Sequence, residues 1–314
     1  MQPQWGETAI KRSEFGSVRG GHRSAMNSST LRTLVVGVDS KDHSDEAVLA
    51  AYLLAQRLSL EVQLVHATEI DNELWLQIDP VGVQRAKEAA ARRLESQLAA
   101  HGVVGLDVAR SLALKSGGAA EALLGVASAS QAALIALGAH RRSAPLDFGD
   151  TVRAVIARAP CPVLVQCGAP RPIRKILCAI DLGPGALAVL TLARDWARAF
   201  GAELTTLHTF VRPELGFLLG YPVPFPPSMV ESARATEERE FRRLLEPFDW
   251  RGVLHRELFY EAAPAADILS EQENYDLIVL GTHGRRGVAS VLVGSVASAV
   301  LRGAQRPVLV LRTA

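Results

Sequence analysis

Two glycines three apart, Gly281 and Gly284, are followed after nine residues by Gly294 and Ser295. Glycine lets a backbone approach phosphate oxygens, and a Gly-Ser pair opening a helix offers free N–H groups, a hydroxyl and the positive helix end. In outline this is a phosphate cradle; the plainer alternative is a tight turn after a strand. Asp39 and Asp181 end the β-branched runs TLVVGVD and KILCAID, and His66 and His208 end QLVH and TTLH. A histidine at such a strand end reads first as hydrogen-bonded structure rather than as a base. No Ser, His and acid grouping can be assembled from local sequence, so nothing points to a hydrolase. A second pattern, Gly183, Gly185 and Ala188, has the G-x-G-x-x-A form of a dinucleotide fingerprint. That reading needs an acid at the end of the next strand, and the nearest, Glu203, stands at the wrong end. Neither glycine loop is followed by the Lys-Ser or Lys-Thr of a P-loop.

The three cysteines offer less. Cys161 and Cys167 lie six residues apart in the strand-like run CPVLVQC, roughly 20 Å at about 3.3 Å per residue, too far to bridge. With Cys178 they make an odd, unbridged set that suits a reducing compartment. No CxxC pair and no histidine cluster at ligand spacing supports a zinc site.

The elements that must position these residues come in two copies. Asp39 and Asp181 are 142 residues apart, and so are His66 and His208. ALIALGAH pairs with LIVLGTHG, and CPVLVQ with RPVLVLR, so one unit fills 31–168 and again 172–314, joined by the linker-like GAPRPIR. In the first copy, strands are expected near 33–39, 61–67, 106–114, 132–138 and 162–166, with amphipathic helices between. Such alternation marks a parallel sheet with helices on both faces, and runs such as LIVLG suit central strands buried on both sides. Ligands of an open α/β sheet bind outside the carboxyl ends of the strands. The nominated residues stand at those ends.

Composition limits the partners. Of 314 residues 48% are hydrophobic and 21% charged, with a net charge of +1, a globular composition. That balance argues against nucleic acid or an acidic membrane as partner, and no apolar run reaches the about 18 residues of a membrane span. The first 30 residues are polar and read as a disordered extension, with Met26 as an alternative start. The charge-alternating run from Glu231, ESARATEEREFRRLLEP, reads as a solvated helix face. FVRPELGFLLGYPVPFPPSM reads as a lid, a docking surface or a segment packed on its own domain.

The run GTHGRRGVASVLVGSVASAV, placed after the fourth strand of a repeated α/β unit, closely resembles the ATP-binding signature of the universal stress protein family. The resemblance covers nearly everything after residue 30. It implies two tandem flavodoxin-like or Rossmann-like (HUP-type) domains, each a five-stranded parallel sheet flanked by helices, a cytoplasmic location, pairing of domains and, in one subclass, bound ATP. Ala179, Ile180 and Asp181 match the first-strand end that lies against the adenosine part, and Thr209 matches the position that lines the base. Leu280, Gly281, His283 and Gly284 match the loop around ribose and phosphates. Gly294, Ser295, Val296 and Ala297 match the helix start that holds the phosphate tail. Arg285 and Arg286 either add positive charge there or are solvated.

The first copy departs from this pattern. Arg141 stands for Gly284, the spacer to Gly149 is seven residues, and Asp150 stands for Ser295. A carboxylate aimed at a polyphosphate is repulsive, so the first motif is degenerate, although it keeps DSKDHS with Ser40 and Ser44 where the second copy has DLGPGA. The reading is therefore a non-enzymatic stress-response binding and signalling module. It holds ATP, with or without Mg2+, in its second copy and acts on a protein partner. Its alternatives are a nucleotide-free interaction or chaperone-like scaffold and a slow ATPase. The short strands after Pro162 and Pro307 are expected to pair within the chain as an intramolecular pseudo-dimer, leaving any homodimer to another surface.

Overall fold

The computed structural model describes residues 33–39, 44–68, 77–100, 107–139, 149–213, 216–218, 221–223, 225–282 and 293–313. The N-terminal extension and Ser40, Arg141, His283, Gly284, Arg285 and Arg286 lie outside them.

In the first half, β1 (Thr33–Gly37), α1 (Asp45–Leu58), β2 (Glu61–Thr68) and α2 (Pro80–Ala100) come first. They are followed by the helical turn α3 (Val108–Ser111), β3 (Leu112–Ser116), α4 (Ala119–Ala129), β4 (Leu134–Gly138), α5 (Asp150–Arg158) and β5 (Val163–Gln166). The second half repeats the order with β6 (Lys175–Ala179), α6 (Ala186–Phe200), β7 (Glu203–Phe210), α7 (Pro227–Leu245), β10 (His255–Glu261), α8 (Pro264–Glu271), β11 (Leu277–Gly281), α9 (Ser295–Gly303) and β12 (Val308–Leu311). Between β7 and α7 it inserts a separate antiparallel hairpin, β8 (Gly216–Leu218) and β9 (Tyr221–Val223), in the Pro-rich segment.

One sheet of ten strands runs β10-β7-β6-β11-β12-β5-β4-β1-β2-β3. Each half is a parallel 3-2-1-4-5 sheet, the first five strands of the Rossmann order, and the halves meet where β12 pairs antiparallel with β5, Leu309 facing Leu164. Strand side chains alternate between faces. Leu34, Leu164, Ile176 and Leu309 therefore join α1, α2, α6 and α7 on one side, while Val35, Val163, Ile278 and Val308 join α4, α5, α8 and α9 on the other. Both layers run unbroken across the seam. The halves also touch at α1 and α6, where Arg57 Nε donates to the carbonyl of Ala199 at 2.9 Å. Residues 57 and 199 are equivalents in the repeat, as expected near a pseudo-two-fold axis.

The third strand of the first half begins later than its apolar run suggests. The Asp107 carboxylate accepts from the Arg110 amide at 3.0 Å and so caps the turn Val108–Ser111 ahead of β3, the ordinary work of an N-cap aspartate. The cysteines are free thiols. Burial pushes Cys161 and Cys167 up to about 12, with Glu46 adding to the effect at Cys167, and it raises Cys178 as well. None is a reactive thiolate. Among the described residues no helix is long and apolar enough to cross a membrane, and no group of His, Cys, Asp and Glu is placed to hold a metal.

His255, at the start of β10, stacks on Trp250 at 3.5 Å and shares a 3.0 Å hydrogen bond with Thr206. Burial lowers its pKa from 6.5 to about 4. The native ring stays neutral where the unfolded chain binds a proton, so stability is full above about 6.5 and is lost as pH falls towards 4. Melting curves between pH 7 and 4 should show a shallower decline in a His255→Gln variant than in wild type. Parallel declines would contradict this role.

Candidate functional site

β6 and β11 are neighbours, but the chain leaves them in opposite directions. After β6 it goes to α6 on one face and on to β7; after β11 it goes to α9 on the other face and on to β12. Their carboxyl ends therefore flank a crevice at the topological switch point, where an open α/β sheet binds its ligands. A cavity of about 490 Å³ lies there, within the size range of small-molecule sites.

Ten of the twelve nominated residues line it: Ala179, Ile180, Asp181, Thr209, Leu280, Gly281, Gly294, Ser295, Val296 and Ala297. The other two, His283 and Gly284, lie outside the described residues. Gly185, His208, Glu237, Thr282 and Thr313 are lining residues that the motif did not name, with Val211, Pro264 and Ile268 among the apolar wall.

The wall formed by β6, β7 and α7 is acidic. Asp181 Oδ1 accepts from the Gly183 amide at 3.3 Å, whereas its Oδ2 is shielded from solvent and has no hydrogen-bond donor among the described residues. An unsatisfied buried carboxylate oxygen is costly, and this one belongs to a residue that lines the cavity. His208 is buried, with Nδ1 2.9 Å from the Ile180 carbonyl and Nε2 2.8 Å from Glu237. Since a carbonyl can only accept, Nδ1 is the donor of its contact. His66 makes the matching 2.9 Å contact to the Val38 carbonyl. The backbone tie is thus common to both halves, while the Glu237 clasp lines the cavity. Behind Thr209, its hydroxyl donates to Asp267 at 2.8 Å.

Glu237 departs from the solvated-face reading of its helix. Val230 and Phe241 are buried, and Glu237 stands seven residues after one and four before the other, on the same helical face. That spacing was the available signal.

The opposite wall is a helix N-terminus. Gly294 donates its amide to the Thr282 carbonyl at 2.8 Å, and α9 has no side-chain cap. The amides of its first turn, at Ser295, Val296 and Ala297, have no intrahelical partner and sit at the positive end of the helix dipole. Acceptors on one wall and amides on the other fit an elongated ligand with hydrogen-bond donors at one end and negative charge at the other.

Among the described residues the first half differs at both walls. Ser44 donates to Asp39 Oδ1 at 3.1 Å, a side-chain donor where Asp181 Oδ1 has the Gly183 amide. Gly149, with φ +89°, leads into α5, whose first residue is Asp150. Its carboxylate is 95% exposed, within 4.0 Å of Arg153, and occupies the helix end that the second half leaves to the cavity. The dinucleotide pattern finds no support in the geometry: Glu203 is the first residue of β7, and the Thr313 side chain packs on Gly185.

Similarity to known proteins follows the same two halves. Universal stress protein Rv2005c of Mycobacterium tuberculosis is 28% identical over 299 residues, 89% of this chain and 96% of its own. Rv2623 of the same organism is 25% identical over 297 residues, with the same coverage. Among solved structures, the functionally unknown protein PA1789 of Pseudomonas aeruginosa aligns with a TM-score of 0.61 at 19% identity, covering 90% of this chain and 92% of the other. A universal stress protein from Archaeoglobus fulgidus gives 0.60 at 17%, covering 90% and 97%. These two share the fold. The profile of the universal stress protein family matches residues 30–166 and again 172–312, and the chain belongs to that family.

Proposed function

We propose that the chain binds one ATP, in the second-half cavity, and acts as a stress-response binding and signalling module in the cytoplasm. The observation that carries this reading is the polarity of the cavity, with Asp181 and Glu237 on one wall and the uncapped start of α9 on the other. The adenosine part, with its amine and hydroxyls, belongs against Asp181, Thr209 and the Glu237 wall. The phosphates belong at the amides of Ser295, Val296 and Ala297, where charge-assisted hydrogen bonds are strongest. A Mg2+ ion would enter with the phosphates as their counter-ion. The names of the relatives support a role in stress, and the occupied site would bias contacts with a protein partner.

Mass spectrometry of small molecules released from the denatured, purified protein tests the reading. An adenine nucleotide is expected. If no nucleotide is released, and none binds when added, the scaffold alternative replaces it. Release of inorganic phosphate over hours would instead favour the slow ATPase.

A further inference from the structure

We infer that Thr313 is a positioning residue of the second-half cavity, through which the seam between the halves holds the Asp181 loop in place. Only its binding readout rests on the nucleotide reading above.

Thr313 lies two residues beyond β12 and is buried. Its amide donates to the Thr282 hydroxyl at 3.1 Å, and the Thr282 amide donates to the Leu311 carbonyl at 2.9 Å. The end of β12 is thereby locked to the end of β11. The Thr313 side chain fills the gap between two glycines of the cavity. A Cβ on Gly185 would lie 2.5 Å from its methyl carbon and 2.6 Å from its own Cβ, and a Cβ on Gly281 would lie 3.3 Å from the same methyl. Gly185 has φ −80° and ψ −10°, ordinary helical values. Its glycine is required for space and not for backbone conformation.

The loop from Asp181 to Gly185 therefore rests on Thr313. Within that loop the Gly183 amide is bonded to the Asp181 carboxylate, so loop and carboxylate move together. β12 is held in turn by β5, in the register Val308 to Val165 and Val310 to Val163. A chain of packed contacts thus leads from the first half, through β5 and β12, to the Asp181 carboxylate on the cavity wall. This gives the first half a task in the binding site of the second, although its own motif is degenerate.

Two measurements on the full chain test the inference. The first is ATP affinity. Thr313→Gly opens a void under Gly185 and should weaken binding on the order of tenfold, while Thr313→Val keeps the branched shape and should stay within about twofold of wild type. Unchanged affinity in Thr313→Gly would overturn the inference. The second is a double-mutant cycle read by melting temperature, which needs no ligand. Gly185→Ala should lower the melting temperature by several degrees, and Thr313→Gly should suppress that loss. Additive effects would overturn the inference. If wild type binds no ATP, the nucleotide reading fails and the cycle alone decides the role of Thr313.

Discussion

Ser295→Asp is expected to abolish ATP binding without unfolding the chain. The substitution gives the second half the residue that Asp150 supplies in the first, a carboxylate at the first position of the helix. Two like charges about 4 Å apart repel by about 4 kcal/mol at the effective dielectric of a protein surface. Against a phosphate tail, affinity should therefore fall by at least on the order of 100-fold. The same carboxylate is favourable to the helix dipole by about 0.3–1 kcal/mol, so the melting temperature should hold or rise slightly. Calorimetric titration beside a thermal melt separates the two effects. Binding retained at near wild-type strength would mean that phosphates do not lie at the start of α9.

Leu309→Lys carries the largest expected cost to stability. Leu309 is fully buried and faces Leu164 across the one antiparallel pairing that joins the halves. Losing a buried leucine forfeits about 1.5–3 kcal/mol, and an unpaired ammonium in its place adds several kcal/mol more. That is a large part of the about 5–15 kcal/mol that stabilises a domain. The melting temperature should drop by roughly 10 °C or more, and solution scattering should show an expanded particle as the halves part. An unchanged melting temperature and unchanged dimensions would mean that this seam does not hold the halves together.

The sheet was legible because its signals are local and repeated. Runs such as LIVLG and LIALG suit central strands buried on both faces, and their recurrence 143 residues apart set the two halves in order. The seam followed from the family resemblance, which implies that the last strands pair, together with edge chemistry, since two apolar strands, VLVQ and VLVL, each needed a cover. What local reading missed depends on partners distant in the chain. Glu237 looked solvated within its charge-alternating helix until His208, 29 residues away, claimed it. Gly185 looked like part of a dinucleotide loop until Thr313 occupied the space beside it. The late start of β3 shows the reverse case, in which one short-range cap at Asp107 overrode an apolar run.

At the site, residue type at strand ends sufficed to nominate the wall at Asp181 and the helix start at Ser295, because the switch point of the sheet brings those ends together wherever the topology is right. Sequence could not say that Asp39 accepts from the Ser44 hydroxyl while Asp181 accepts from the Gly183 amide.

Isothermal titration of the nucleotide-free chain with ATP measures how many sites it offers. One equivalent per chain, lost in Asp181→Ala and kept in Asp39→Ala, is the result that an intact second site beside a degenerate first predicts. Two equivalent sites, or none, would contradict it.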